Sequence, residues 1–408
     1  MTDRHIPKMA ELAPLLRPRR PSLGPTGRRL APVASIWDLR EAARKRAPRA
    51  VFDYTDGAAG EERTLARMRE AYAGVELVPS VLRDVSSVDP STTILGRRSE
   101  LPLVFGPTGF TRMMHSEGEP AVARAARATG IPYVLSTMGT TSVEDLAGRV
   151  PGANLWFQLY LWRDRGAGSD FVRRAADCGY SALMLTVDTP VPGRRLRDVR
   201  NGLTIPPSLT LRTVLDAALR PAWWFDLLTT SPLEFASLNR FEGTVAELID
   251  RMFDPTATIA DLEWLRSAWK GPLVVKGVQS PEDARRVVDA GADAVVVSNH
   301  GGRQLDRAPV PLEQLRPVLD AVGDRAEVYV DGGIMSGADV VAAVALGARA
   351  ALVGRAYLYG LMAGGERGVR KAADILGGDI RTTLALLGVS RCADLRADHV
   401  RLRSRSSG

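Results

Sequence analysis

PLVVKGVQSPEDARRVVDAGADAVVVSNH, residues 272–300, decides the fold. It contains two short, almost continuously apolar runs, PLVVKGV (272–278) and AVVVSNH (294–300), separated by SPEDARRVVDAGA (280–292). Unbroken apolar runs of this length are what strands covered on both faces need, as in a parallel sheet under helices. The stretch between them has helix length and an amphipathic pattern. Ser280 followed by Pro281 reads as a helix start: the hydroxyl accepts an orphan N–H, and proline sits where no donor is needed. The unit is strand–helix–strand.

The same strand type recurs on both sides of it, at LPLVFGPTG (101–109), YVLST (133–137), LWFQLY (155–160), SALMLTVD (181–188), EVYVDGG (327–333) and AALVGR (350–355). Eight such strands alternating with helix-length stretches predict an α/β chain, a closed (β/α)₈ barrel of the TIM type. The rival, an open doubly wound sheet, calls for a G-x-G-x-x-G loop after an early strand, and the chain has none. Ahead of the barrel, SIWDLREAARKR (35–46) reads as a capped amphipathic helix with Ile36, Leu39 and Ala43 on one side. The expected organisation is an irregular basic leader over residues 1–30, one barrel domain over 31–400 and a basic tail over 401–408. Between Thr189 and Gly271 the fourth connection runs over eighty residues, an insertion on the side where barrel enzymes build their sites.

At 45% hydrophobic and 25% charged residues, this is the composition of a soluble globular protein. No run approaches the ~18 apolar residues of a membrane span, and the N-terminus lacks the apolar core of a signal peptide. Two distant cysteines, Cys178 and Cys392, form neither a disulfide framework nor a metal-ligand spacing, so no metal is expected and the protein reads as cytoplasmic. The net charge of +7 is concentrated in residues 1–35 and in RLRSRSSG (401–408), which leaves the body near neutrality. That placement suits solvated or membrane-attracted ends and argues against a nucleic-acid footprint.

Polar residues close strand after strand: Thr108 and Gly109, Ser136, Gln158 and Tyr160, Thr186 and Asp188, Lys276, Ser298 and His300, Asp331 with Gly332 and Gly333, and Gly354 with Arg355. In a barrel this is the catalytic end. Of four histidines, His5 and His399 read as solvated near the termini and His115 as a helix start. His300 ends a buried strand, and its imidazole suits a general base with Asp188 orienting it. Arg303, and Arg195 in PVPGRRLRD (190–198), can clamp a carboxylate in a planar bidentate way. Lys276 within VVKG needs an anionic or electron-rich partner, either a cofactor or a Schiff-base substrate. The DGG and GRA ends match the usual barrel phosphate site.

In FDY, PTG, WFQLY, LTVD, VVKG, SNHGGRQLD, DGG and GRA, taken in order over roughly residues 35–400, the chain resembles the FMN-dependent 2-hydroxy-acid dehydrogenase/oxidase family, and within it the actinobacterial L-lactate dehydrogenases. The resemblance implies FMN as cofactor and oxidation of a small L-2-hydroxy acid, L-lactate foremost, with electrons passing to a quinone or to oxygen. It implies His300 as base with Asp188, and substrate contacts from Tyr54, Tyr160, Arg195, Arg303 and Met138. For the flavin ring it implies Pro107, Thr108, Gly109, Ser136, Gln158, Thr186, Lys276 and Ser298. The ribityl and phosphate groups would fall to Asp331, Gly332, Gly333, Gly354 and Arg355. A homotetramer is common in the family. Two departures stand out: Met335 occupies a position where many members carry a phosphate-binding arginine, and Met138 one where glycolate oxidases carry tryptophan. The first leaves Arg355 and backbone N–H groups with more of the phosphate; the second bears on the substrate side chain.

LTLRTVLDAALRPAWWFDLLTT (209–230) in the long insertion, with adjacent Trp223 and Trp224, has two readings. It either lies on a membrane interface and admits a quinone, or packs on its own barrel or a neighbouring subunit. Two other functions compete with the main reading: an oxygen-using 2-hydroxy-acid oxidase acting on glycolate or mandelate-type acids, and a non-catalytic barrel that binds a ligand.

Overall fold

The computed structural model describes residues 7–12, 24–202, 218–231, 233, 236 and 252–403. The eight apolar runs form eight parallel strands: β1 (Leu103–Phe105), β2 (Tyr133–Ser136), β3 (Leu155–Tyr160), β4 (Ala182–Thr186), β5 (Leu273–Val278), β6 (Ala294–Val297), β7 (Glu327–Asp331) and β8 (Ala350–Val353). They pair in chain order and close on themselves through β8–β1, giving the expected barrel. Alternation along each strand divides the core into two layers. Val104, Val134, Trp156, Met184, Val274, Val296 and Tyr329 pack together inside the barrel. Leu103, Phe105, Leu135 and Phe157 point the other way, under the helices. The interior layer is continued by Ile94 from the antiparallel hairpin 92–99, whose Leu95 N–H donates to Glu327 at the start of β7. That hairpin closes the amino end, so the open end is the one where the polar residues sit.

Helix α1 (Ile36–Arg46) begins as its sequence predicts. Ser35 Oγ accepts from Asp38 N–H and the Asp38 carboxylate accepts in return, while Ile36, Leu39 and Ala43 are buried. It packs on α4 (Arg355–Leu387), and α2 (Arg49–Asp56) follows it over the open end of the barrel. In the long connection, α3 (Pro221–Leu228) is described; residues 203–217, including the first part of the 209–230 stretch, lie outside the described residues. Trp223 is buried and its indole N–H donates to Met113 O, so this tryptophan packs on its own barrel.

Three expectations about the ends are corrected. The leader is not wholly irregular: Met9–Leu12 and Pro25–Leu30 are helical, and Leu30 is buried. The basic C-terminal segment begins as a strand, Val400–Leu402, paired antiparallel with Val75–Leu77, and Arg403 bonds Glu76 at 2.6 Å. His399 is buried rather than solvated, because its Nδ1 accepts the Arg396 N–H inside that same tucked-in turn. His5 lies outside the described residues.

Candidate active site

The carboxyl ends of the strands enclose a cavity of about 640 Å³, within the range that holds a cofactor together with a small substrate. Every predicted site residue except Gln158, Thr186, Asp188 and Ser298 lines it; Gln158, Asp188 and Ser298 are hydrogen-bonded to lining residues, and Thr186 stands beside Lys276 in the strand register.

His300 lies in the turn after β6, with φ of +59°, a left-handed conformation that costs a non-glycine residue roughly 1–3 kcal/mol. Neighbouring bonds hold it there. The His300 N–H donates to Ser298 Oγ at 3.1 Å, and Asn299 Oδ1 accepts from Gly302 N–H at 3.1 Å. Gly301 follows at φ of +62°, where a side chain would be strained and its Cβ would press on Arg355 Nη1 at 2.7 Å. His300 Nδ1 lies 3.0 Å from Asp188 Oδ1. That bond assigns the proton to Nδ1 and leaves Nε2 as the basic nitrogen. Burial disfavours charge on Asp188, but His300 and then Lys276 outweigh it and hold the carboxyl below its usual range. Asp188 approaches β5 where that strand bulges between Lys276 and Val278; Gly277, at φ of +111°, is needed because a Cβ would meet Asp188 at 2.8 Å.

Lys276 finds its anionic partner within the protein. Its ammonium lies 3.1 Å from Asp331 Oδ2 and donates to Ser298 Oγ at 2.9 Å. Burial works against its charge, and Asp331 and Asp188 more than offset it, raising the pKa above the usual lysine value. A lysine held protonated is not a nucleophile, which disfavours the Schiff-base chemistry.

Arg303, three residues after His300, is half-buried in the cavity wall. It donates to Tyr54 O at 2.5 Å and to Gly57 O at 3.2 Å, carbonyls that offer no countercharge. Burial first, and Arg195 second, push its pKa down to about 10. Arg195 is anchored to Asp198 at 2.6 Å, and the Tyr54 ring lies against both guanidinium groups, at 4.9 Å from Arg303 and 5.5 Å from Arg195. Two half-buried cations crowded against one ring suit an anion between them. Tyr160 is buried beside Asp188, and both effects raise its pKa, so it presents a protonated hydroxyl.

The residues fit a flavin. Gln158 Nε2, Thr186 Oγ1 and Asp331 Oδ1 are buried polar atoms with no hydrogen-bond partner among the described residues. Such atoms are costly unless a bound group satisfies them. Ser136 Oγ donates to Gln158 Oε1 at 2.9 Å and so fixes the amide with its NH₂ unspent. Pro107, Thr108, Gly109, Gly332, Gly333 and Gly354 all line the cavity, Gly354 standing against Thr108. Arg355 differs from expectation: its Nε, Nη1 and Nη2 donate to the carbonyls of Thr55 (2.9 Å), Gly301 (2.9 Å) and Gly57 (2.7 Å). It ties α2 to the His300 turn and has less left to offer a phosphate.

Residues 43–402 match the model of the FMN-dependent dehydrogenases. The chain belongs to that family. It is 55% identical over 398 residues to a putative L-lactate dehydrogenase of Mycobacterium tuberculosis, covering 98% of this chain and 96% of that protein. An L-lactate dehydrogenase of Caulobacter vibrioides is 46% identical over 370 residues, 89% of this chain and 96% of the relative. Among solved structures, a monotopic membrane protein, (S)-mandelate dehydrogenase, superposes with a TM-score of 0.87 at 39% identity, covering 91% of this chain and all of the other. FMN is therefore the cofactor, as the family description states.

Four lining or supporting residues escaped the sequence reading. Gln304 donates to Asp188 O and Val191 O and accepts from Gly193 N–H, lacing the loop after β4 to the loop after β6. Phe253, from the far end of the long connection, packs edge-on against Tyr160 at 5.4 Å. Asp198 anchors Arg195. Arg69, on the helix Arg63–Ala73, faces the glycine-rich end of the cavity.

Proposed function

We propose that this protein oxidises a small L-2-hydroxy acid, with L-lactate the favoured substrate, to the 2-oxo acid. One arrangement carries the reading: the Asp188-backed imidazole of His300 and the guanidinium of Arg303, which has no carboxylate partner among the described residues, border a single cavity beside Arg195. Arg303 and Arg195 hold the substrate carboxylate, a bidentate partner that relieves their mutual repulsion. The Tyr160 hydroxyl steadies the substrate's oxygen. Nε2 of His300 takes the proton released from the 2-hydroxy acid, and Asp188 stabilises the imidazolium. FMN, when bound, supplies the two-electron acceptor. Lys276, kept protonated by Asp331, places fixed positive charge where negative charge develops on that acceptor. Phe253 and Met138 line the part of the cavity left for the substrate side chain.

The test is the visible spectrum of the FMN-loaded protein on adding substrate without oxygen. Bleaching by L-lactate and not by D-lactate is expected; a flavin left oxidised by both moves the substrate elsewhere. Re-oxidation by a soluble quinone faster than by oxygen is expected for the dehydrogenase that the names of the relatives favour.

Peripheral membrane contact is a second reading with its own support. Phe225 and Leu228, each 73% exposed, fall with Pro221 on one face of α3, opposite buried Trp223. No described helix is long and apolar enough to cross a membrane, and the mandelate dehydrogenase above is described as monotopic. Exposed apolar stripes of this kind suit an interface. Pelleting with lipid vesicles that is lost in Phe225→Ser/Leu228→Ser is the expected result; equal pelleting rejects this face.

A further inference from the structure

The phosphate end of the cavity lacks charge where the sequence expects it. Met335 is apolar, and Arg355 spends three donor atoms on backbone carbonyls. The helix Arg63–Ala73 lies directly on this end. A Cβ at Gly332 would strike Met68 Sδ at 2.7 Å, and one at Gly333 would meet Met68 O at 3.0 Å. Leu65 and Arg69, one turn apart on that helix, both line the cavity, as do Gly332, Gly333 and Met335. The Arg69 guanidinium rests over the Trp37 ring at 5.0 Å, which fixes its direction without using its hydrogen-bond donors. Arg69 Nη2 is buried and has no hydrogen-bond partner among the described residues, and no ion pair joins Arg69 to any of them. Arg69 also stands close enough to Arg355 to help push that residue's pKa down, after burial itself. A buried, unspent guanidinium nitrogen beside a second arginine is costly unless an anion satisfies both.

We infer that Arg69 binds the FMN phosphate and takes over the task that Met335 cannot perform. A helix outside the barrel, rather than the strand-seven loop, then supplies the charge that distinguishes FMN from riboflavin. The inference rests on the flavin assignment, and the experiment separates the two.

The full chain, freed of flavin, is titrated with FMN and with riboflavin and followed by quenching of flavin fluorescence. Arg69→Gln is expected to weaken FMN roughly ten- to hundredfold, the range for a charge-assisted hydrogen bond, while riboflavin affinity stays within about twofold. Adding Met335→Arg to Arg69→Gln returns the charge from the other side and is expected to restore most of the preference for FMN. Equal weakening of FMN and riboflavin would show that Arg69 only packs the helix on Trp37, and unchanged FMN affinity would show that Arg355 and the backbone suffice; either overturns the proposal. Failure of the unaltered chain to bind either flavin overturns the cofactor reading beneath it.

Discussion

Two histidines among the described residues sit beside an aspartate distant in the sequence, and their surroundings differ. His300 lies 3.0 Å from Asp188, whose second oxygen has no partner among the described residues, and it opens onto the cavity. His115 lies 3.6 Å from Asp226, but that carboxylate is already used: it accepts from Ser116 Oγ, from Ser116 N–H at 3.2 Å and from buried Arg46 at 3.0 Å. With Trp223, Asp226 fastens α3 to the rest of the fold. Asp188 holds the proposed base in place; Asp226 holds a helix. What singles out the His300 pair for the proposed role of base is the spare carboxylate oxygen and the ring facing the cavity, and not the pair itself.

The largest effect expected from this contrast falls on His300. His300→Gln should slow anaerobic flavin bleaching by L-lactate about 10³-fold, the middle of the range for general base catalysis, while His115→Gln changes it less than about twofold. Comparable losses in the two variants would erase the distinction. Next comes Asp188→Asn, which keeps the shape and removes the charge. A loss of roughly 10²-fold in the same rate is expected, with little change in melting temperature, because the carboxylate it replaces is buried and only half satisfied. Asp226→Asn should do the reverse. It leaves Arg46 without its counterion and should cost about 1–2 kcal/mol of unfolding free energy, discounted for the partial exposure of Asp226, with turnover of soluble substrate within about twofold. Denaturant melts and stopped-flow traces on the two variants give a double dissociation; a slow, stable Asp226→Asn or a fast, unstable Asp188→Asn breaks it.

The contrast also marks what a single sequence can reveal. The barrel was legible because both faces of each strand are buried, so the apolar runs are continuous and end abruptly in polar residues. The proposed roles of His300, Asp188, Lys276 and Arg303 were readable for a related reason, each lying among the polar residues at the end of such a run or within five residues of it. Gln304, Phe253 and Arg69 were not, since each earns its place through a contact across the barrel. Gln304 reaches a loop more than a hundred residues earlier in the chain, and Phe253 follows a connection without clear periodicity. Arg69 looks like any basic residue on an amphipathic helix. Asp198 carried a weak signal, three residues after Arg195. The burial of His399 was hidden because nothing in the basic tail announces that Val400–Leu402 pairs with Val75–Leu77.

The smallest expected effect belongs to His115 and depends on pH. Burial first, and Arg46 second, hold its pKa in the folded protein below the ordinary value of about 6.5. As pH falls through that value, the unfolded chain takes up a proton that the folded protein resists. The stability His115 contributes is thus fully present above about pH 6.5 and is lost as pH falls toward the folded pKa. The melting temperature of the unaltered protein should decline over this window, and His115→Gln should flatten the decline by the share of one histidine. Asp226 titrates well below this window, since Ser116, His115 and Arg46 together outweigh its burial and hold its carboxyl under the usual range. The two contributions therefore separate along the pH axis. An unchanged slope in His115→Gln would mean that the ring is already solvated when α3 is in place, and that Arg46 alone is the partner that matters to Asp226.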